Sequence, residues 1–94
     1  MKDMTKVKVP TFTLSGGKLS DFGGYNNVVQ YRIWVHPYNG SDDFYYSYRT
    51  YKKAVVGREK AVREGKAEPI LAVVFDPKFN KYREVVINKQ AKKQ

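Results

Sequence analysis

Few residues in this chain could do acid–base, nucleophilic or metal chemistry. Its 94 residues hold one histidine, His36, no cysteine, and nine carboxylates. Asp42 and Asp43 are adjacent in a turn-like stretch, where neighbouring side chains diverge and stabilise a turn rather than act as an acid–base pair. No HExxH, Cys–His or nucleophile-elbow pattern is present. The Gly-Gly-Lys-Leu-Ser run at 16–20 has leucine where a phosphate loop needs serine or threonine, and it lacks the first glycine's spacing. The absence of cysteine excludes disulfides and thiolate zinc sites, and a lone histidine excludes a histidine-rich metal centre. The expectation is no enzyme, no cofactor and no metal.

The chemistry this composition favours is recognition. Trp34, Tyr38, Phe44, Tyr45, Tyr46, Tyr48 and Tyr51 crowd a short stretch, with Arg32 and Arg49 among them. Aromatic rings interleaved with arginine on a sheet can stack nucleic-acid bases, each stacked base contributing about 1–3 kcal/mol. The same rings also suit strands and a small core. The candidate binding residues are Arg32, Trp34, His36, Tyr45, Arg49, Lys52 and Lys53, with Lys89, Lys92 and Lys93 of the tail as further contacts. The formal charge is +9, of which residues 1–8 carry +2 and residues 88–94 carry +3. An acidic partner is therefore expected, a nucleic acid or nucleotide ahead of an acidic protein surface. The alternative is a protein-binding inhibitor or accessory factor, for example one encoded by a virus or mobile element, acting through the same face. An enzyme of unknown type is the remaining class.

These side chains need a scaffold. The length allows one domain, residues 1–88, followed by a basic tail at 89–94 that is expected to fray. Residues 5–14 read as a strand whose apolar phase flips at Pro10, marking an edge or a bulge. Residues 15–27, with two glycine pairs, read as a loop. Residues 28–36 form the clearest strand, with Val29, Tyr31, Ile33 and Val35 on one face and Arg32, Trp34 and His36 on the other. A Pro/Asn-Gly/Asp turn leads into a second arm at 44–49. Thr50 is placed to cap a helix over 51–64, Gly57 within it hints at close packing, and Gly65 is the expected left-handed stop. Tyr51, Ala54, Val55, Arg58, Ala61 and Val62 recur at helical spacing. The uninterrupted apolar run 70–75 and the segment 82–87 complete the order strand, strand, strand, helix, strand, strand. The expected fold is α+β: a mainly antiparallel sheet of about five strands with one helix on one face. The other face is left open for a partner or for a second copy, a possible homodimer.

Hairpin register decides which aromatics are inside. Pairing residues of opposite parity puts Ile33 and Val35 with Phe44, Tyr46 and Tyr48 in the core, and Arg32, Trp34 and His36 with Tyr45, Ser47 and Arg49 on the outer face. That split is the cleaner one and is the register expected.

The string YRIWVHPYNGSDDFYYSYRTYKKAVV, followed by EPILAVV, resembles a small segment found beside some bacterial GNAT-type acetyltransferases. The resemblance spans residues 31–74 and is carried by Trp34, Val35, His36, Pro37, Asp42, Asp43, Tyr45, Thr50, Tyr51, Ala54, Glu68 and Pro69. It implies a hairpin, a helix and a following strand as one unit. The acetyl-CoA signature is absent, so it implies no acetyltransferase activity. Residues 1–9 lack an apolar leader core, and the longest apolar run is six residues. No membrane partner and a cytoplasmic location are therefore expected.

Overall fold

The structure is a computed structural model and describes residues 9–88. The chain folds as β1 (Leu14–Lys18), β2 (Val28–Pro37), β3 (Phe44–Tyr48), α1 (Tyr51–Glu64), β4 (Gly65–Ala67), β5 (Leu71–Asp76) and β6 (Lys81–Val86). The six strands form one mixed sheet in the order β1-β6-β5-β2-β3, with β4 also paired to β2. α1 covers one face, so the α+β architecture is as expected. β1 runs parallel to β6, whereas every other pair is antiparallel. No helix among the described residues is long and apolar enough to cross a membrane.

The hairpin takes the opposite-parity register: Ile33 faces Tyr46, Trp34 faces Tyr45 and Val35 faces Phe44. Tyr31, Ile33 and Val35 are buried under α1 beside Ala54, Ala61, Ala72, Val74 and Val85. Val29 does not join them and is 42% exposed, because the β2–β5 register shifts between Val28 and Gln30 and turns Val28 inward instead. β4 and β5 are one strand along β2, interrupted at residues 68–70. Three residues there span what two span on β2, since Ala67 faces Val35 and Leu71 faces Arg32. Pro69, which has no N–H to give a ladder, occupies this bulge.

Several expectations about the chain's first third are corrected. Regular strand begins only at Leu14, and residues 5–8 lie outside the described residues. Residues 15–27 are not a loop: β1 runs to Lys18, and two 3₁₀ turns, Leu19–Phe22 and Gly24–Asn27, follow. Leu19 from the first turn is fully buried, which anchors this segment in the core. Gly16 and Gly17 adopt φ of +105° and +94°, and the β1–β6 register slips across them.

Thr50 caps α1 as expected, its hydroxyl accepting the Lys53 N–H at 3.1 Å. The helix presents small residues to the sheet. Ala54 and Ala61 are fully buried, while Tyr51, Val55 and Val62 are about two-fifths or more exposed, so the apolar stripe is wider than the contact. Gly57 lets α1 sit on Tyr48: a Cβ there would lie 2.1 Å from the phenol oxygen and 2.3 Å from Cζ. Gly57→Ala would ordinarily gain helix propensity, about 1 kcal/mol. Here it is expected to cost on the order of 1–3 kcal/mol in urea denaturation. In a Tyr48→Ala background the same substitution is expected to stabilise, and failure of the sign to reverse would contradict the contact.

Gly65 is not a left-handed stop. Its φ of 177° and ψ of −169° are extended, and it opens β4 directly. Its requirement is close approach, since a Cβ would meet the His36 carbonyl oxygen at 2.3 Å.

Candidate functional site

The sheet face opposite α1 is open only in part. Arg32 lies on it and is fully buried, which corrects its assignment to an exposed patch. Its Nη1 donates to Glu84 Oε2 at 2.8 Å and to the Thr11 carbonyl at 3.1 Å; Nη2 donates to the Pro10 carbonyl at 2.6 Å, and Nε to Gln30 Oε1 at 2.6 Å. The guanidinium carbon stands 4.3 Å from the centre of the Tyr45 ring. Residues 10–11 therefore cover this part of the face, and Arg32 holds them there. Arg83 does the same for β1, donating to the Ser15 and Gly16 carbonyls while paired with Asp76. Two cations, Arg32 on this face and Arg83 on the α1 face with Val74 and Val85, are thus committed to the chain's own backbone.

The aromatic platform is also used internally. Trp34 packs on Tyr45 at 4.9 Å between centroids, tilted by 60°, and its indole N–H donates to the same Glu84 oxygen at 2.9 Å. With Arg32 against it as well, Tyr45 is already in contact with two neighbours. A base seeking a stacking surface would have to displace these contacts.

His36 sits at the far end of β2 between two carboxylates. Nδ1 meets Asp43 Oδ2 at 2.9 Å and Nε2 meets Glu68 Oε2 at 2.7 Å. Its pKa is raised above 6.5, first by the Glu68 hydrogen bond and then by that of Asp43. An imidazolium donating from both nitrogens has no lone pair with which to abstract a proton. The trio flanks a cleft of about 520 Å³ whose other walls are apolar, with Trp34, Pro69, Ile70 and Leu71 among them. No serine, threonine or cysteine lines it. Among the described residues no cluster of ligating side chains is arranged to hold a metal ion.

The His36 bridges tie the hairpin turn to the bulge, and they are pH-dependent. A pKa raised in the folded state stabilises the fold fully below the unfolded-state value near 6.5, and that contribution is lost as pH rises through the higher folded value. Thermal stability is therefore expected to fall across the titration of this one histidine, and His36→Gln is expected to flatten that part of the profile. An NMR titration of the His36 ring checks it; a midpoint at or below 6.5 would contradict the two bridges.

The remaining candidates lie elsewhere. Arg49 is exposed in the β3–α1 connection, and Lys52 and Lys53 are exposed in the first turn of α1. The predicted set thus divides: Arg32, Trp34, His36 and Tyr45 on one face of the sheet, Lys52 and Lys53 on the helix, and Arg49 on the connection between β3 and α1. Lys89, Lys92 and Lys93 lie outside the described residues. Charge divides the same way. Residues 49–66 hold seven Lys or Arg and two Glu, a net of +5, while the other described residues hold five and six, a net of −1. All the excess positive charge of the described fold therefore sits on or beside α1. The helix adds to this, since its first turn has no acidic residue and Lys52 and Lys53 stand at the positive end of its dipole.

No family model, curated protein or solved structure matches this chain. Sequence reading missed Glu84, which accepts from both Arg32 and Trp34, and Glu68, which holds His36. It also missed Arg58 as a structural clamp: its guanidinium donates to the Ala67 and Glu68 carbonyls freed at the bulge. The signal available for Glu84 was its place between Tyr82 and Val86 on one face of a strand, where a carboxylate demands a partner.

Proposed function

We propose that this protein is a non-enzymatic binding module that takes a polyanion, the phosphate backbone of a nucleic acid, on the outer face of α1. The partition of charge carries the reading: +5 on residues 49–66 against −1 on the rest of the described fold. Lys52 and Lys53 keep their expected role as binding residues, joined by Lys60 and Arg63 of the same helix. Arg32, Trp34, His36 and Tyr45 become the frame behind that surface. Binding of this kind is electrostatic and sequence-tolerant, because phosphates position without specifying.

The first turn of α1 supports the same reading. Lysines at a helix N-terminus oppose the dipole and cost folding stability, whereas a bound anion would use both the lysines and the dipole. Lys53 also occupies the position where a glutamate would complete a capping box with Thr50. Lys53→Glu is therefore expected to raise the melting temperature and, at the same time, to weaken oligonucleotide binding roughly tenfold at low salt. Fluorescence anisotropy with single- and double-stranded oligonucleotides over a range of salt checks it. Absence of binding at about 50 mM salt, or an affinity independent of salt, would overturn the proposal.

A protein partner is the second reading, favoured by the groove where exposed Tyr51, Val55 and Val62 and half-buried Ile70 lie beside Arg58. Val55→Asp would abolish docking there and leave salt-dependent oligonucleotide binding intact.

A further inference from the structure

We infer that two copies of this chain pair through the free edge of β3, running the sheet continuously across a two-fold axis at Tyr46. This does not depend on the polyanion reading. The two edges of the sheet differ. β1 is disrupted by two left-handed glycines, slips in register and ends in a lysine, all features that discourage a further strand. β3, the opposite edge, is Phe-Tyr-Tyr-Ser-Tyr: no charge, no proline and an unbroken register with β2. Proteins usually blunt such an edge, and among the described residues no other strand pairs with it.

Geometry limits how a second copy can add. A two-fold axis perpendicular to the sheet keeps α1 and its symmetry mate on the same side, so paired residues must have the same parity. Centring on Tyr46 places Phe44 opposite Tyr48 and Tyr45 opposite Ser47 of the second copy, which joins core-side aromatics to core-side aromatics. The same register sets Asp43, at the start of the strand, opposite Arg49 just past its end, and does so twice. Centring on Tyr45 or Ser47 loses this charge match. Above the axis, Tyr46 already contacts both Lys60, whose ammonium lies 5.3 Å from its ring, and Glu64, which accepts its hydroxyl. The two helices would therefore meet with charges of both signs rather than with lysines alone.

The expected species is a dimer of twice the 10.9 kDa chain mass, measured by sedimentation equilibrium on the full chain. Arg49→Asp, which sets two acids against each other, is expected to raise the dissociation constant at least about tenfold. Adding Asp43→Arg is expected to recover the affinity when both variants carry His36→Gln, which removes the Asp43 bridge to His36 from the comparison. Tyr46→Cys tests the register without relying on affinity. Facing residues on neighbouring strands have Cα atoms about 4.5–5.5 Å apart, within disulfide range. The chain has no other cysteine, so this variant is expected to oxidise to a covalent dimer and Ser47→Cys is not. A monomer at all concentrations with no Tyr46→Cys cross-link would overturn the inference. So would a dimer indifferent to Arg49→Asp.

Discussion

Arg32→Ala is expected to cost about 3–5 kcal/mol, the usual consequence of removing one partner from a buried ion pair. A domain of this size has only about 5–15 kcal/mol in total, so much of its stability depends on this side chain. The reason is the number of groups that Arg32 satisfies together. Glu84 is only 12% exposed and would lose its cation, keeping the Trp34 indole as donor. The Pro10 and Thr11 carbonyls would lose the donors that hold this segment over the sheet. Tyr45 would lose the guanidinium on its ring. Glu84→Gln is expected to be nearly as damaging, because it leaves the arginine charge buried without a counter-charge. The double change Arg32→Met with Glu84→Leu removes both charges and is expected to recover much of the loss, as apolar replacements of buried pairs often do. Urea denaturation of the unaltered protein and these three variants checks the ranking. A loss below about 1 kcal/mol for Arg32→Ala would mean that the guanidinium is solvated and that residues 10–11 do not cover it.

Gly65→Ala is expected to be the most damaging single-methyl change in the chain. The added carbon would lie 2.3 Å from the His36 carbonyl oxygen and 2.8 Å from the Pro37 Cα, both backbone atoms in β2. No side-chain rotation relieves that contact, so β4 must move away from β2. Moving β4 would break the pairing of Lys66 with His36 and strain the Glu68–His36 bridge beyond it. A loss of about 3 kcal/mol is expected, which for a domain of this length lowers the melting temperature by roughly 12–24 °C. Backbone conformation is not the cause, since any residue can adopt the extended geometry found here. A near-neutral Gly65→Ala would contradict the close approach of β4 to β2.

What could be read from the sequence depended on how local the determinant was. Parity left two hairpin registers and favoured the one that put Ile33 and Val35 with Tyr46 and Tyr48 on one face, which is the register found. The Thr50 cap and the packing role of Gly57 also have local signatures. The burial of Arg32 has none. Alternation assigns it to a face, but its cover comes from residues 10 and 11, more than twenty positions away. The phase flip at Pro10 was the one hint, and the Pro10 carbonyl is one of the two that Arg32 holds. The parallel β1–β6 pair joins the two ends of the described chain, a contact no window could reveal. Gly65 misled because a helix-stopping glycine and a close-approach glycine look alike in sequence. The candidate site divided for the same reason. Neighbours in sequence such as Arg32 and Trp34 are spent on Glu84, a partner 50 or more residues away.

The central claim is that the helical layer, and not the aromatic sheet face, meets the partner. The most direct measurement follows backbone amide and indole resonances by NMR while a short double-stranded oligonucleotide is added at low salt. The expected result is shifts concentrated in residues 49–66, with Lys52, Lys53, Lys60 and Arg63 among them, while the single indole N–H of Trp34 stays in place on Glu84. Movement of the Trp34 indole with the α1 amides unchanged would contradict the account and return the site to the opposite face.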